Sequence, residues 1–340
     1  MRFSYYIYII CVTLLAFSSC SSDKKEGGSV KRKAVTAKVQ SAPYELLVVV
    51  NKDWLKTATG QRFVDIVNTP IEGLPQVEPH FRVTYINPDA FKGTFRTYAN
   101  ILVADIGSKY AEPNIREAVN VYAQPQRIVY VNAPDNETFV AYMEAYGLSV
   151  LDAFNRNEFT RERALLAKNY SGAVASQAKK MFGVDIRVPQ DIDDVKTGKN
   201  FLWASASKQE FRLNICLYTL PVKAEGMILE EYVAARDSVM KINIPGGRED
   251  QWMETDIRTV SGSMAEQASA DGHLLLAYRG LWSMRHDAMG GPFVCYVYMD
   301  EKNDRLLVAE GFVFAPEEKK RAVIRQLEAA LQTIVLPTAN

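Results

Sequence analysis

The sequence predicts an α+β fold: mostly antiparallel sheets covered by helices, with a first half patterned like a ferredoxin-like split βαβ unit. Three observations lead there. Short apolar runs of strand length, such as Tyr44 to Val50, recur along the chain. In the first half the expected order is strand, helix, strand, strand, helix, strand. The second half is richer in strands, with one amphipathic helix inside it and one at its end.

Tyr44 to Val50 is a continuous apolar run, the pattern of a buried strand. Phe63, Ile66 and Val67 sit at helical spacing and predict a helix over Thr59 to Asn68. Strands follow at Phe81 to Ile86, stopped by Asn87-Pro88, and at Asn100 to Ile106. A second helix is expected from Pro113 to Tyr122, then a strand from Arg127 to Val131 ended by Ala133-Pro134. Helices dominate from Glu137 to Phe182, with Asn155-Arg156-Asn157-Glu158 as a break. Strands are expected at Val184 to Val188, Phe201 to Ala204 and Phe211 to Leu220. In the last of these, Phe211 to Leu217 alternates strictly, implying one buried and one wetter face. A helix over Met227 to Lys241 carries the stripe Ile228, Tyr232, Ala235, Val239 and an Asp237–Lys241 pair one turn apart; Pro245-Gly246-Gly247 follows its end. Strands at Glu254 to Val260, Leu274 to Leu281, Phe293 to Met299 and Arg305 to Phe314 come next, the last two joined by the Asp300 to Asp304 loop. The final helix is expected to hold Pro316 in its first turn beside Glu317 and Glu318, with Val323, Ile324, Leu327, Leu331 and Ile334 as its stripe.

The N-terminus carries a different message. Arg2 precedes an apolar run from Phe3 to Phe17, of about the length of a signal peptide's hydrophobic region and short of the ~20 residues that span a bilayer. Ser18-Ser19-Cys20 follows, the small-small-cysteine pattern of a lipoprotein signal. Residues 1–19 are thus expected to be removed and Cys20 to become the lipidated first residue of the mature chain. Several acyl chains, at about 0.8 kcal/mol per buried CH₂, hold a protein stably where one would be marginal. Residues 21–43, with Asp23-Lys24-Lys25-Glu26-Gly27-Gly28 and Lys31-Arg32-Lys33, offer nothing to bury and read as a tether of about 25 Å. Two domains are expected after it, 44–182 and 183–337.

Composition narrows the function classes. Lys+Arg and Asp+Glu both number 40, a balance that argues against nucleic acid as the main partner, since a phosphate backbone calls for a concentrated basic surface. No second apolar stretch is long enough to span a membrane. Cys11 lies in the signal and Cys20 at the lipid site, leaving Cys216 and Cys295 as buried thiols or a cross-strand bridge. Neither CxxC nor a metal-ligand spacing exists among His80, His273 and His286, and no metal or cofactor is expected. Asp191-Ile192-Asp193-Asp194 lacks the calcium-loop pattern. Lys196-Thr197-Gly198, with Ser176-Gln177-Ala178-Lys179 and Ser205-Ala206-Ser207-Lys208, has the parts of a serine β-lactamase set. It lies in an expected turn too close to both serines, and no catalytic residue is assigned.

The densest candidate for recognition is Arg279 to Phe293. A strand enters, Trp282, Arg285 and His286 follow, and Gly290-Gly291-Pro292 returns the chain. As a binding loop it would offer Arg279, Trp282, Arg285 and His286, with Gly290 and Gly291 permitting close backbone approach. As a structural corner it would bury Trp282 and pair the arginines.

Arg236-Asp237-Ser238-Val239, Ile244-Pro245-Gly246, Arg279-Gly280-Leu281-Trp282, Met289-Gly290-Gly291-Pro292-Phe293 and Gly311-Phe312-Val313-Phe314-Ala315-Pro316 together resemble one family. Leu46-Leu47-Val48-Val49, Leu74-Pro75-Gln76 and Glu78-Pro79 extend the likeness toward the N-terminus. It is a family of bacterial envelope lipoproteins known as domain of unknown function 4837. The resemblance implies one architecture over the mature chain and an envelope location, and transfers no activity, cofactor or site residue. The mixed charge after Cys20 favours the periplasmic face of the outer membrane. The expected role is a non-catalytic binding or accessory protein, tethered by its acyl chains, with a protein, glycan or lipid partner. The alternative is an envelope hydrolase using carboxylates such as Glu254 or Asp287 on cell-wall or lipid substrates.

Overall fold

The computed structural model describes residues 37–207, 212–222, 228–265 and 275–337. Cys20, its signal, most of the tether and His273 lie outside them. The fold is α+β, as the sequence predicts, and is built on two sheets.

The first sheet has the order β2-β1-β3-β5-β4, from β1 (Glu45–Val49), β2 (Arg82–Ile86), β3 (Asn100–Ile106), β4 (Asn114–Val119) and β5 (Arg127–Ala133). Here the split βαβ expectation is corrected. β1 pairs in parallel with β2 and β3, and β3 with β5; only β4 runs antiparallel, against β5. The expected helix at Pro113 to Tyr122 is the edge strand β4. Ile115 and Ala118 imitate helical spacing, but the segment is fixed by cross-strand partners. Arg116 lies 4.0 Å over the Tyr130 ring and Glu117 pairs with Arg127. Charges along such an edge also discourage pairing with a further strand.

Two layers cover this sheet. On one face, α1 (Ala58–Val67) and α2 (Asn136–Leu166) pack Phe63, Val67, Phe139, Val140 and Phe154 against Leu46, Val48, Leu102, Val129 and Val131. On the other, the β2–β3 connection lays Phe91, Phe95 and Tyr98 over Leu47, Val49, Ile101 and Ile128. Asp135 caps α2, its carboxylate accepting the Thr138 N–H at 2.8 Å. The expected break at Asn155 to Glu158 is absent because these polar residues have tertiary partners. Asn157 Nδ2 donates to Asn100 Oδ1 (2.9 Å), and Asn100 Nδ2 donates to Glu158 Oε1 (2.6 Å). The helix ends instead just before Ala167, and α3 (Gly172–Phe182) begins after the Ser171 cap.

The second sheet is antiparallel throughout, in the order β6-β7-β8-β12-β11-β10-β9. Its strands are β6 (Asp194–Gly198), β7 (Phe201–Ser207), β8 (Arg212–Pro221), β9 (Met253–Ala265), β10 (Leu275–Met284), β11 (Gly290–Asp300) and β12 (Arg305–Phe314). Both faces are covered, so the wetter face expected of β8 is not there. α4 (Leu229–Asn243) seals Cys216, Tyr218, Phe293, Cys295 and Phe312, while α3 and α5 (Arg321–Leu331) seal Leu213, Ile215, Val294, Tyr296 and Ala309. Val184 to Val188 forms no strand beyond a single bridge from Asp185 to Val335. Lys196-Thr197-Gly198 is on edge strand β6, not in a turn; Lys196 lies over Trp203, and Lys179 bonds Asp185.

α5 starts later than predicted, at Arg321, with Pro316 to Glu318 outside it. Its orphan amides are capped from the first half of the chain: Glu78 accepts the N–H of Lys320 at 2.7 Å and of Arg321 at 3.2 Å. Among the described residues, no helix is long and apolar enough to cross a membrane.

Candidate functional site

Three parallel strands of the first sheet direct their carboxyl ends to one edge, joined there by the end of β2. After β1 the chain leaves for α1 on one face. After β2 it leaves for the 87–99 connection on the other. Departure to opposite faces opens a crevice between adjacent strands, the usual ligand position in open sheets with parallel strands. The crevice is a cleft of about 390 Å³. Val50, Trp54, Pro88, Ala104 and Ile106 supply its apolar wall. Its polar groups are Asn51, Asp105, Asp135 and Asn136.

Each carboxylate is already compensated. Asp105 Oδ2 accepts Lys109 Nζ at 2.8 Å and the Tyr110 hydroxyl at 2.6 Å. Burial pushes its carboxyl up, but these two bonds outweigh that and hold it below the usual range. Asp135 is held below its usual range by the Thr138 amide and hydroxyl. Trp54 stacks on Phe63 with ring centroids 5.6 Å apart and meets Phe139 edge-on. Its indole N–H is closed from solvent and has no acceptor among the described residues.

The six residues expected to form one binding loop are divided by the structure. Trp282 is 3% exposed, packs edge-on against Phe312, and donates its indole N–H to the Val313 carbonyl at 3.2 Å. Arg279 points into the interior and pairs with Glu328 of α5. Gly290 and Gly291 are strand residues against which other backbone closes: a Cβ on Gly291 would lie 2.0 Å from the Val313 carbonyl oxygen. Only Arg285 and His286 reach the hairpin tip. Arg285 lies 4.8 Å over the Trp252 ring and 3.8 Å from Glu254, and His286 Nδ1 is 2.9 Å from Asp250. Asp287 accepts the Gln251 side-chain amide at 3.2 Å. Glu254 and Asp287 therefore flank this hairpin and line neither the cleft nor the groove described next.

A second groove of about 570 Å³ lies between the end of α2, the 189–191 segment and α5, with Glu162, Asn169, Gln190, Asp191 and Gln326 among its walls. Burial, and then the charge of Glu158, lifts the Glu162 carboxyl above its usual range.

Several strongly perturbed groups are consumed in interior pairs. Glu328 accepts Arg325 Nη1 at 2.7 Å, the Tyr296 hydroxyl at 2.8 Å and Arg279. Burial opposes its charge, yet the two guanidiniums pull its pKa down to about 2. Beside it, His80 Nδ1 accepts Asn155 Nδ2 (2.9 Å) and Arg325 Nη2 (3.2 Å), which fixes the neutral Nε2–H tautomer. Burial and the Arg325 charge lower its pKa to about 4. Across the second sheet, fully buried Arg236 and Glu310 share two bonds, at 2.9 and 2.6 Å. Burial lifts the Glu310 carboxyl against the pull of Arg236, while Glu310 keeps Arg236 protonated despite its own burial.

Cys216 and Cys295 are free. Both stand opposite Glu310 on β12, one from each side. Two strand spacings, about 10 Å, separate them, beyond the ~7 Å that a disulfide tolerates. Among the described residues no cluster of His, Cys, Asp and Glu is arranged to hold a metal.

Residues 171–333 match the family described as domain of unknown function DUF4837, and residues 40–167 match the one described as domain of unknown function DUF8532. No curated protein matches the chain. A solved structure, described as a point mutant of the protein Mog1, is similar at 12% identity over 45% of this chain and 90% of that one, with a TM-score of 0.29. A likeness of that strength carries neither fold nor function across.

Proposed function

Through residues 171–333 the chain belongs to the DUF4837 family, a domain of unknown function, and from that premise we propose a non-catalytic binding protein held at a membrane by acyl chains on Cys20. The observation that carries the binding half is the cleft over the carboxyl ends of β1, β3 and β5. It combines apolar walls with a few converging polar groups, the composition of ligand pockets. Glu328, His80, Glu310 and Arg236 are already committed to interior partners. The anchor rests on the Ser18-Ser19-Cys20 pattern after an apolar run, and the mixed charge of Asp23-Lys24-Lys25 after it supports attachment at the periplasmic face of the outer membrane. Arg285 and His286 remain the part of the β10–β11 hairpin able to meet a partner.

A crystallographic screen with chemically mixed fragments tests the binding half. Fragments gathered against Asn51, Ala104 and Asn136 support it; a cleft left empty by the whole set refutes it. For the anchor, Cys20→Ser is expected to abolish palmitate incorporation and release the protein from membranes. Retention of both in the variant overturns it.

One observation favours a second reading. Glu162, with its raised pKa, lines the α2–α5 groove together with Asp191, as a general acid would. A hydrolase working there would lose its activity on cell-wall or lipid substrates in Glu162→Gln.

A further inference from the structure

The cleft's chemistry selects among ligands. Among the described residues no lysine or arginine lines it, and Lys109, beside it, is already held by Asp105. The α2 N-terminus, an ordinary attractor of anions, is occupied by the chain's own Asp135 carboxylate. The polar lining holds more acceptors than donors: two carboxylates and the side-chain amides of Asn51 and Asn136, with Asn51 Oδ1 already accepting the Asp53 N–H at 2.9 Å. A ligand must therefore bring hydrogen-bond donors.

Two donor-rich classes remain, organic cations and neutral polyols, and the compensation of the carboxylates separates them. Lys109 already stands 2.8 Å from Asp105, and the helix amides already face Asp135. Little net negative field is left to attract an ammonium. A hydroxyl group, by contrast, donates and accepts at once. It can give its proton to Asp105 or Asn136 and offer its oxygen to the Asn amide groups. Trp54 contributes apolar ring surface to the wall, its indole N–H being closed from solvent. Val50, Trp54, Ala104 and Ile106 provide an apolar surface for the C–H face of a ring.

We propose that the cleft between the ends of β1, β3 and β5 binds a neutral, polyhydroxylated ligand of saccharide type, held by Asn51, Asp105 and Asn136 against Trp54. This rests on the binding reading above and narrows it to one ligand class.

The purified chain is titrated separately with N-acetylglucosamine, choline and inorganic phosphate while the indole N–H and backbone amide resonances are followed by NMR. The Trp54 indole signal is assigned from Trp54→Phe. The expected result is saturable movement of that signal and of the Asn51 and Asn136 amides with the saccharide alone. Asn136→Ala and Asp105→Asn, each checked for an unchanged spectrum elsewhere, should weaken saccharide binding at least fivefold. Saccharide shifts that persist unweakened in both variants overturn the assignment to this cleft. Movement with choline or phosphate, and none with the saccharide, overturns the ligand class but leaves the binding reading standing. Silence toward all three probes also overturns the class; the fragment screen then decides whether the cleft binds anything.

Discussion

Replacing Glu328 with Gln tests the polar core that ties α5 to the second sheet. The carboxylate sits between Arg279 and Arg325, with the Tyr296 hydroxyl on the same oxygen as Arg279. The amide keeps the shape but removes the charge, leaving two guanidiniums facing each other with little solvent. Breaking a buried pair in this way costs about 3–5 kcal/mol. The pKa provides a second route to the magnitude. Held at about 2 rather than 4.5, Glu328 binds fewer protons in the folded than in the unfolded chain, so its contribution is complete above pH 4.5. It disappears as pH falls from there through 2, and amounts to about 3 kcal/mol. Denaturant unfolding at pH 7 should therefore show Glu328→Gln destabilised by about 3–5 kcal/mol. Below pH 4.5, wild type should lose stability toward the variant's level while the variant shows a flatter decline. A difference under about 1 kcal/mol at pH 7, or parallel acid profiles, would refute the claim that this carboxylate holds Arg279 and Arg325 together.

Other perturbations follow from the same structure. His80 is neutral in the fold and protonates first in the unfolded chain, so stability should fall by about 3 kcal/mol between pH 6.5 and 4. His80→Gln should flatten that portion of the profile, read by the same unfolding titration. Gly291→Ala pushes a methyl into the Val313 carbonyl and is expected to lower stability by about 3 kcal/mol; a thermal melt within a degree of wild type would contradict the packing. Burial raises the pKa of both Cys216 and Cys295, so iodoacetamide should label neither under native conditions and both in denaturant, with no disulfide in a non-reducing digest.

The second sheet was largely legible in the sequence because its strands announce themselves individually. Arg305 to Phe314 is read residue for residue, and Phe293 to Met299 lacks only its ends. Periodicity reports burial and does not report partners, and that is where the reading of the first sheet fails. Ile115 and Ala118 suited a helix, and one misread segment turned a mostly parallel sheet into a split βαβ pattern. The stronger signal was present in the continuous apolar runs Leu46 to Val50, Ile101 to Ala104 and Ile128 to Val131, which mark strands covered on both faces. Taken as parallel, they place Asn51, Asp105 and Asp135 on a common edge. The loop at 279–293 drew attention through its aromatic and charged residues. Its tryptophan and first arginine serve β12 and α5, contacts made with residues 31 and 49 positions away that no local pattern contains.

α5 follows Glu78 by more than two-thirds of the sequence, yet the first half depends on it. Glu78 has its partners only when residues 320 and 321 arrive, and His80 meets Arg325 in the same event. A nascent chain therefore cannot close its central seam until α5 has been delivered. For the envelope protein proposed above, threaded unfolded through a translocation channel, such late closure keeps the chain pliable during passage. It also makes α5 a quality-control point, since a product cut short before it leaves buried charges on both sheets without partners.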